Sequence, residues 1–301
     1  MLRLDGKISE MIKDEITKCD SFFLLYCKNK ERIEKMDNLG FIGAGNMGYA
    51  MLKGASGVLD HNALLYTDVS KERLEEVKEN TGIAYVDSNV ALIQQAKYVV
   101  LAVKPQYLDG VLQEVKDYIT EEHVIIAIAP GIAISHYKEY FGENCKVVRA
   151  MPNTPALVNE GMSGICFSED PFTEQEKEMV YTFFGSFGKY EVVSESLMNA
   201  VVCASGSSPA YVYMFIEALA DSAVMYGIPR DKAYTFAAQT VLGSAKMVLE
   251  TGEHPGKLKD QVCSPGGTTI AAVAALEECG FRSSLMKAAE ACYEKSTSFK
   301  K

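Results

Sequence analysis

Two stretches of the chain combine glycine with polar residues at spacings that can bind an anion. The first is Gly43-Ala44-Gly45-Asn46-Met47-Gly48, a G-x-G-x-x-G between the apolar run Gly40-Phe41-Ile42 and a helix-forming stretch from Asn46 to about Gly57. There the first glycine permits a tight turn, the second lets a pyrophosphate approach the backbone, and the third allows close packing of helix on strand. The N–H groups that open the helix then face the phosphates. A glycine turn with no ligand is the plain alternative, but the position between strand and helix favours a dinucleotide. The second stretch is Val262-Cys263-Ser264-Pro265-Gly266-Gly267-Thr268-Thr269-Ile270. A proline and two glycines ahead of a helix starting near Thr268 leave backbone N–H groups unpaired, a nest for a carboxylate. Ser264, Thr268 and Thr269 add hydroxyls that donate and accept. For an isolated S-P-G-G-T, an ordinary capped turn is an equally good reading.

Other residues fall where a dinucleotide would be read. About 20 residues past the glycines the chain runs Tyr66-Thr67-Asp68-Val69-Ser70-Lys71. An acidic residue there binds the ribose 2′-hydroxyl and repels a 2′-phosphate. Ser70, Lys71 and Arg73 can instead serve a phosphate, so these residues leave NAD and NADP both open. Ala102-Val103-Lys104-Pro105 and Ala129-Pro130-Gly131 stand at strand ends, the edge at which such sheets bind ligands. Lys104 is read as a solvated or positioning residue before a proton donor.

The elements that must hold these residues follow from periodicity. Leu64–Tyr66, Tyr98–Val103, Val124–Ala127 and Lys146–Val148 are short apolar runs, each separated from the next by amphipathic stretches such as Ser70–Asn80. Strands apolar on both faces and separated by helices indicate a parallel sheet covered on both sides, an α/β doubly wound, Rossmann-like unit. Ser163–Phe167 and Lys189–Val193 read as further strands around a helix from Thr173 to Phe184. After Leu197 the pattern is wholly helical. Ser208 is expected to cap, and Pro209 to open, a helix over Ala210–Tyr226 that is apolar on most faces. Gly227-Ile228-Pro229 ends it and Asp231–Glu250 forms the next. A helical unit of this size cannot enclose two such helices by itself, so an intertwined homodimer is expected.

Composition narrows the classes. The 301 residues suffice for two domains, and 48% hydrophobic with 23% charged residues excludes disorder on the scale of the chain. A formal net charge of -10 repels phosphate backbones and anionic lipid, which argues against nucleic acid and membrane as partners. The eight cysteines include no C-x-x-C pair and the four histidines stand far apart, so no metal site is read. Reduced, buried thiols of a cytoplasmic protein are the plainer reading. Residues 1–35 mix charge with one apolar patch, Phe22–Tyr26, behind Asp5, Glu10, Asp14 and Glu15, which fits neither a signal nor a transit peptide. They are read as an extension of unknown role, or as a start placed too far upstream, with the folded unit beginning at Met36. The expected division is 1–35, 36–197 and 198–301.

Arg149–Asn159 (RAMPNTPALVN), Gly206–Ala210 (GSSPA) and Lys259–Ile270 (KDQVCSPGGTTI) resemble the signature blocks of the Δ1-pyrroline-5-carboxylate reductases, and the resemblance runs from about Met36 to the C-terminus. It implies hydride transfer from NAD(P)H to C5 of a cyclic imine, yielding L-proline as the final step of proline biosynthesis. It implies that Thr269 hydrogen-bonds or protonates the imine nitrogen, and that Gly266, Gly267 and Thr268, with Ser264 and the neighbouring Val262, hold the substrate carboxylate. Gly43, Gly45, Asn46, Met47, Asn89, Ala102 and Lys104 match cofactor-contacting positions; Ala44, Gly48, Val103 and Pro105 adjoin them. Asp68 departs from relatives carrying a serine that meets the NADP 2′-phosphate, so NADP(H) is expected with NAD(H) a serious possibility. The resemblance also implies dimers, in some relatives assembled into rings. Two other readings need features of their own. A 3-hydroxyacid dehydrogenase would need a lysine in the helix opening the second domain, and Ser205–Tyr226 has none. A silent nucleotide-binding sensor would be favoured by loss of the S-P-G-G-T-T loop, which is intact.

Overall fold

The computed structural model describes residues 38–298, so the extension expected at residues 1–35 lies outside the described residues. The chain opens with β1 (Leu39–Ile42), α1 (Asn46–Ser56), β2 (Leu64–Thr67), α2 (Lys71–Thr81) and α3 (Asn89–Ile93). It continues with β3 (Tyr98–Leu101), α4 (Pro105–Val115), β4 (Val124–Ala127), α5 (Ile134–Phe141) and β5 (Lys146–Met151). β6 (Gly161–Phe167), α6 (Glu174–Gly185) and β7 (Gly188–Val192) complete one sheet in the order β2-β1-β3-β4-β5-β6-β7. The first five strands are parallel, β6 runs antiparallel to β5, and β7 is parallel to β6.

Alternation along the strands divides the core. Phe41, Val100, Ile126 and Val148 point into one cluster with Met51, Leu52, Phe183 and Phe184. Their neighbours Ile42, Leu101, Ile125 and Val147 point into a second, with Leu92, Leu108, Leu112 and Tyr137. Helices thus cover both faces, as expected for a doubly wound sheet.

The helical part is α7 (Met198–Val201), a π-helical turn over Val202–Gly206, then α8 (Ser208–Met225), α9 (Arg230–Thr251), α10 (Pro255–Val262), α11 (Thr268–Glu278) and α12 (Phe281–Thr297). The expected cap at Ser208 is not formed. The π-turn carries the chain helically from α7 into α8, so Ser208 is already helical and its hydroxyl donates to the Ala204 carbonyl at 2.8 Å. α8 and α9 meet through small residues, Ala220, Ala233 and Ala237. Outside that seam large apolar side chains remain open: Met214 is 69%, Met225 79% and Leu249 67% exposed.

Candidate active site

β1 delivers the chain into the glycine loop at the C-terminal edge of the sheet. Gly43 turns with φ +99°, and its N–H donates to the Thr67 carbonyl at 2.9 Å. A Cβ on Gly43 would lie 2.7 Å from the Ala102 carbonyl oxygen, and one on Gly48 only 2.1 Å from the Gly43 carbonyl oxygen. Those two glycines therefore serve packing of loop, strand and helix, bringing Ala102 and Val103 against the turn. Gly45 differs: it is exposed and a Cβ there would meet nothing within 4 Å. It is also the N-cap of α1 with no capping side chain, so the N–H groups of Asn46, Met47 and Gly48 have no partner within the helix.

Asp68, at the end of β2, closes this loop. One carboxylate oxygen accepts from the Ala44 N–H at 2.8 Å and the other from the Ser70 N–H at 3.0 Å. Ser70 caps α2, its hydroxyl accepting from the Arg73 N–H at 3.2 Å. Arg73 reaches back: its Nε donates to the Ala44 carbonyl at 2.7 Å, its guanidinium lies 5.0 Å from the Tyr49 ring centre, and it pairs with Glu76 at 2.7 Å. Lys104 and Pro105 are exposed at the start of α4, and the Lys104 side chain caps nothing. Asn89, the first residue of α3, donates to Glu114 at 2.8 Å.

The second loop is a turn of its own. Gly266 has φ +67°, a conformation that favours glycine, and the Gly267 N–H donates to the Ser264 carbonyl at 3.0 Å. Gly267 is the N-cap of α11 and no side chain caps it, so the first N–H groups of Thr268, Thr269 and Ile270 stay without a helical partner. Ser264 and Thr268 are exposed and Thr269 is half-buried. The geometry is that of an anion nest with two threonine hydroxyls at its rim. Among the described residues no hydrogen bond or ion pair joins this loop to the glycine loop. A single protomer therefore brings together Gly43, Ala44, Gly48, Asp68, Ser70, Ala102 and Val103, and separately Ser264, Gly266, Gly267, Thr268 and Thr269.

Residues without an assigned role in the sequence fasten the sheet to the segment that leads into the helices. Arg149, buried on β5, pairs at 3.1 Å with Glu195, whose same oxygen accepts from the Ile134 N–H at the start of α5 at 2.7 Å. Asn153 donates to the Ser205 carbonyl in the π-turn at 3.0 Å and accepts from the Met162 N–H at 2.8 Å. A charge inside the apolar run Val147–Met151 was the one available signal, since a buried guanidinium needs a partner. Of the six cysteines among the described residues, all free, the expected burial holds for Cys145, Cys166 and Cys203, whereas Cys263 and Cys292 are half-buried and Cys279 is exposed. Burial pushes the Cys145 thiol up to about 12, and burial together with the nearby Cys292 pushes Cys203 to about 11, which keeps both as unreactive thiols.

Both parts of the chain match known families. Residues 195–299 match the family model "Pyrroline-5-carboxylate reductase dimerisation", and residues 38–131 match "NADP oxidoreductase coenzyme F420-dependent". The pyrroline-5-carboxylate reductase of Escherichia coli (strain K12) is 47% identical over 266 residues, which is 87% of this chain and 98% of that one. That of Pisum sativum is 41% identical over 86% of this chain and 94% of its own. Among solved structures, a pyrroline-5-carboxylate reductase from Coxiella burnetii superposes with TM-score 0.83 at 33% identity, covering 89% of this chain and all of its own. A Plasmodium falciparum pyrroline carboxylate reductase with NADP bound gives TM-score 0.79 at 34% identity, over 88% of this chain and 98% of its own. Being 47% identical to one such reductase over 87% of its length and superposing on another with TM-score 0.83, the chain belongs to the pyrroline-5-carboxylate reductase family.

Proposed function

We propose that this chain reduces 1-pyrroline-5-carboxylate to L-proline with NADPH or NADH, the last step of proline biosynthesis. The observation that carries the reading is the nest at Ser264–Ile270, with the uncapped N–H groups of Thr268, Thr269 and Ile270 and two threonine hydroxyls, on a chain of this family.

The residues of the glycine loop fit a dinucleotide. The space at Gly45 is open, the N–H groups of α1 are free, and Asp68 stands beside them with lone pairs to spare for a ribose hydroxyl. Gly43, Ala44, Gly45, Asn46, Met47, Gly48, Asp68, Ser70, Asn89, Ala102, Val103, Lys104 and Pro105 are the residues assigned to that site. When bound, a reduced nicotinamide supplies the hydride that attacks the imine carbon. For its part, the chain holds the substrate carboxylate against the backbone of Gly266, Gly267 and Thr268, where the Thr268 N–H is free and that of Gly267 closes the turn on the Ser264 carbonyl, with the Ser264 hydroxyl and Val262 alongside. The Thr269 hydroxyl donates to the lone pair of the neutral ring nitrogen and passes its proton there as the carbon accepts hydride, regaining a proton from solvent. Fixing the carboxylate and the ring nitrogen at once also removes orientational freedom, and in favourable cases such positioning lowers a barrier by about 7–11 kcal/mol.

In the assignment, residues 36–197 bind cofactor and 198–301 dimerise and hold substrate; the dimerisation model beginning at 195 supports that division. The two loops are not joined within a protomer, and α8, α9 and α12 present open apolar faces. The reading is therefore that the nest of one protomer meets the sheet edge of its partner in a homodimer, from which larger rings can be built. The net charge of -10 argues against nucleic acid, and among the described residues no helix is long and apolar enough to cross a membrane. Reduced thiols at Cys145 and Cys203 support a cytoplasmic setting.

The test is oxidation of NADPH and NADH, each with pyrroline-5-carboxylate, in wild type and Thr269→Ala. Turnover with a loss on the order of 10²-fold in kcat for the variant is expected, the scale of one positioned proton donor. A folded wild-type protein that turned over neither cofactor would refute the assignment.

A further inference from the structure

We propose that Asp68 and Arg73 clamp the Ala44 peptide from both sides, and that this clamp sets the chain against a 2′-phosphorylated nucleotide, making NADH its preferred reductant. The inference rests on the dinucleotide reading above and specifies its cofactor.

The Ala44 N–H is held by an Asp68 oxygen at 2.8 Å and the Ala44 carbonyl by Arg73 Nε at 2.7 Å. Ala44 is 1% exposed, so neither backbone group has water as a substitute partner. The other Asp68 oxygen is held by the Ser70 N–H at 3.0 Å. A carboxylate free to rotate can turn away from an incoming phosphate; one tied at both oxygens to backbone cannot. Its remaining lone pairs suit the hydroxyls of an unphosphorylated ribose, to which it can only be an acceptor. A 2′-phosphate would bring its charge against this fixed carboxylate.

Compensation by a nearby cation is the usual way round such a clash, and Arg73 is the residue placed for it. Two of its three nitrogens already have partners, Nε in Ala44 and Nη1 in Glu76 at 2.7 Å, and its face lies on the Tyr49 ring at 5.0 Å. Swinging it to a phosphate would strip the partner from a buried carbonyl inside the glycine loop itself. Lys71 is exposed and contributes a charge that solvent and salt screen. Arg73 is thus a positioning residue for the loop, acting on both cofactors alike, and Asp68 is the residue that discriminates.

The experiment is calorimetric binding of ADP-ribose and of 2′-phospho-ADP-ribose, ligands that cannot turn over, to wild type, Asp68→Asn and Arg73→Ala, with circular dichroism to establish folding. Asn keeps an acceptor for the Ala44 N–H and removes the charge. Wild type should bind ADP-ribose on the order of tenfold more tightly, since like-charge juxtaposition at an interface is strongly penalised. Asp68→Asn should erase most of that ratio, and Arg73→Ala should weaken both ligands by a similar factor. An Arg73→Ala loss confined to the phosphorylated ligand would make Arg73 a phosphate ligand and overturn the clamp. Tighter wild-type binding of 2′-phospho-ADP-ribose would overturn the preference and leave the dinucleotide reading standing. Binding of neither ligand by folded protein would overturn both.

Discussion

The glycines of the loop near α1 are alike in composition and unlike in surroundings. Gly48→Ala places a methyl 2.1 Å from the Gly43 carbonyl oxygen, backbone that cannot step aside. A fall in stability of about 1–3 kcal/mol or more is expected in thermal unfolding, the cost of overpacking. Gly45→Ala meets nothing within 4 Å, so its melting temperature should match wild type while its affinity for the dinucleotide falls. Unchanged affinity in calorimetry would show that the open side of Gly45 is not the approach path. The G-x-G-x-x-G and Asp68 could be found in the sequence because a turn, a helix start and a strand end lie at set intervals. What Asp68 and Arg73 do could not. Their shared partner Ala44 is 24 and 29 residues distant, and the contacts exist only because β1 and β2 pair with Ile42 opposite Thr67. The same holds for Asn153 and Ser205, 52 residues apart.

Helix starts were legible where a side chain states them, and α6 is the clearest. Thr173 caps it and Glu176 reaches back to the Thr173 N–H, a complete capping box. Glu176 does more than cap. Its side chain is 2% exposed and one oxygen lies 2.9 Å from Lys146 Nζ and 3.5 Å from Lys97 Nζ, so it fastens α6 to the sheet. Burial by itself would raise this carboxyl, but the hydrogen bond from Lys146, that from the Thr173 N–H and the charge of Lys97 hold it below the usual carboxylate range. A folded-state value below the unfolded one stabilises the fold at pH values above the unfolded value, and that contribution is lost as pH falls through the folded one. Glu176→Gln should therefore lower the melting temperature at pH 7, and the gap to wild type should narrow as pH drops below about 4. A gap independent of pH would mean that packing, not charge, is what Glu176 supplies. Two features of the elements escaped the sequence. β6 runs antiparallel to β5 because only a short 3-10 turn, Thr154–Val158, joins them, and apolar alternation carries no direction. Ser208 has the residue type of a cap, but the helix was already under way through the π-turn at Val202–Gly206.

On the scale of the molecule, the sequence made the need for a partner plain: α8 is apolar on most faces, and in a single protomer Tyr213, Met214 and Met225 stand 59%, 69% and 79% exposed. Which surfaces meet was not legible, because periodicity identifies an apolar stripe and not what covers it. If each site takes the glycine loop of one protomer and the nest of the other, two inactive variants should rescue each other. Gly45→Val and Thr269→Ala, unfolded together and refolded, should recover about one quarter of wild-type activity by random pairing into two-fold dimers. Sites built within one protomer would give no rescue. Hydride transfer is tested by following the hydride itself. With reduced nicotinamide carrying deuterium at both C4 positions and pyrroline-5-carboxylate as substrate, mass spectrometry and NMR of the product should show L-proline carrying one deuterium at C5. Unlabelled proline, or no proline from folded protein, would contradict the account.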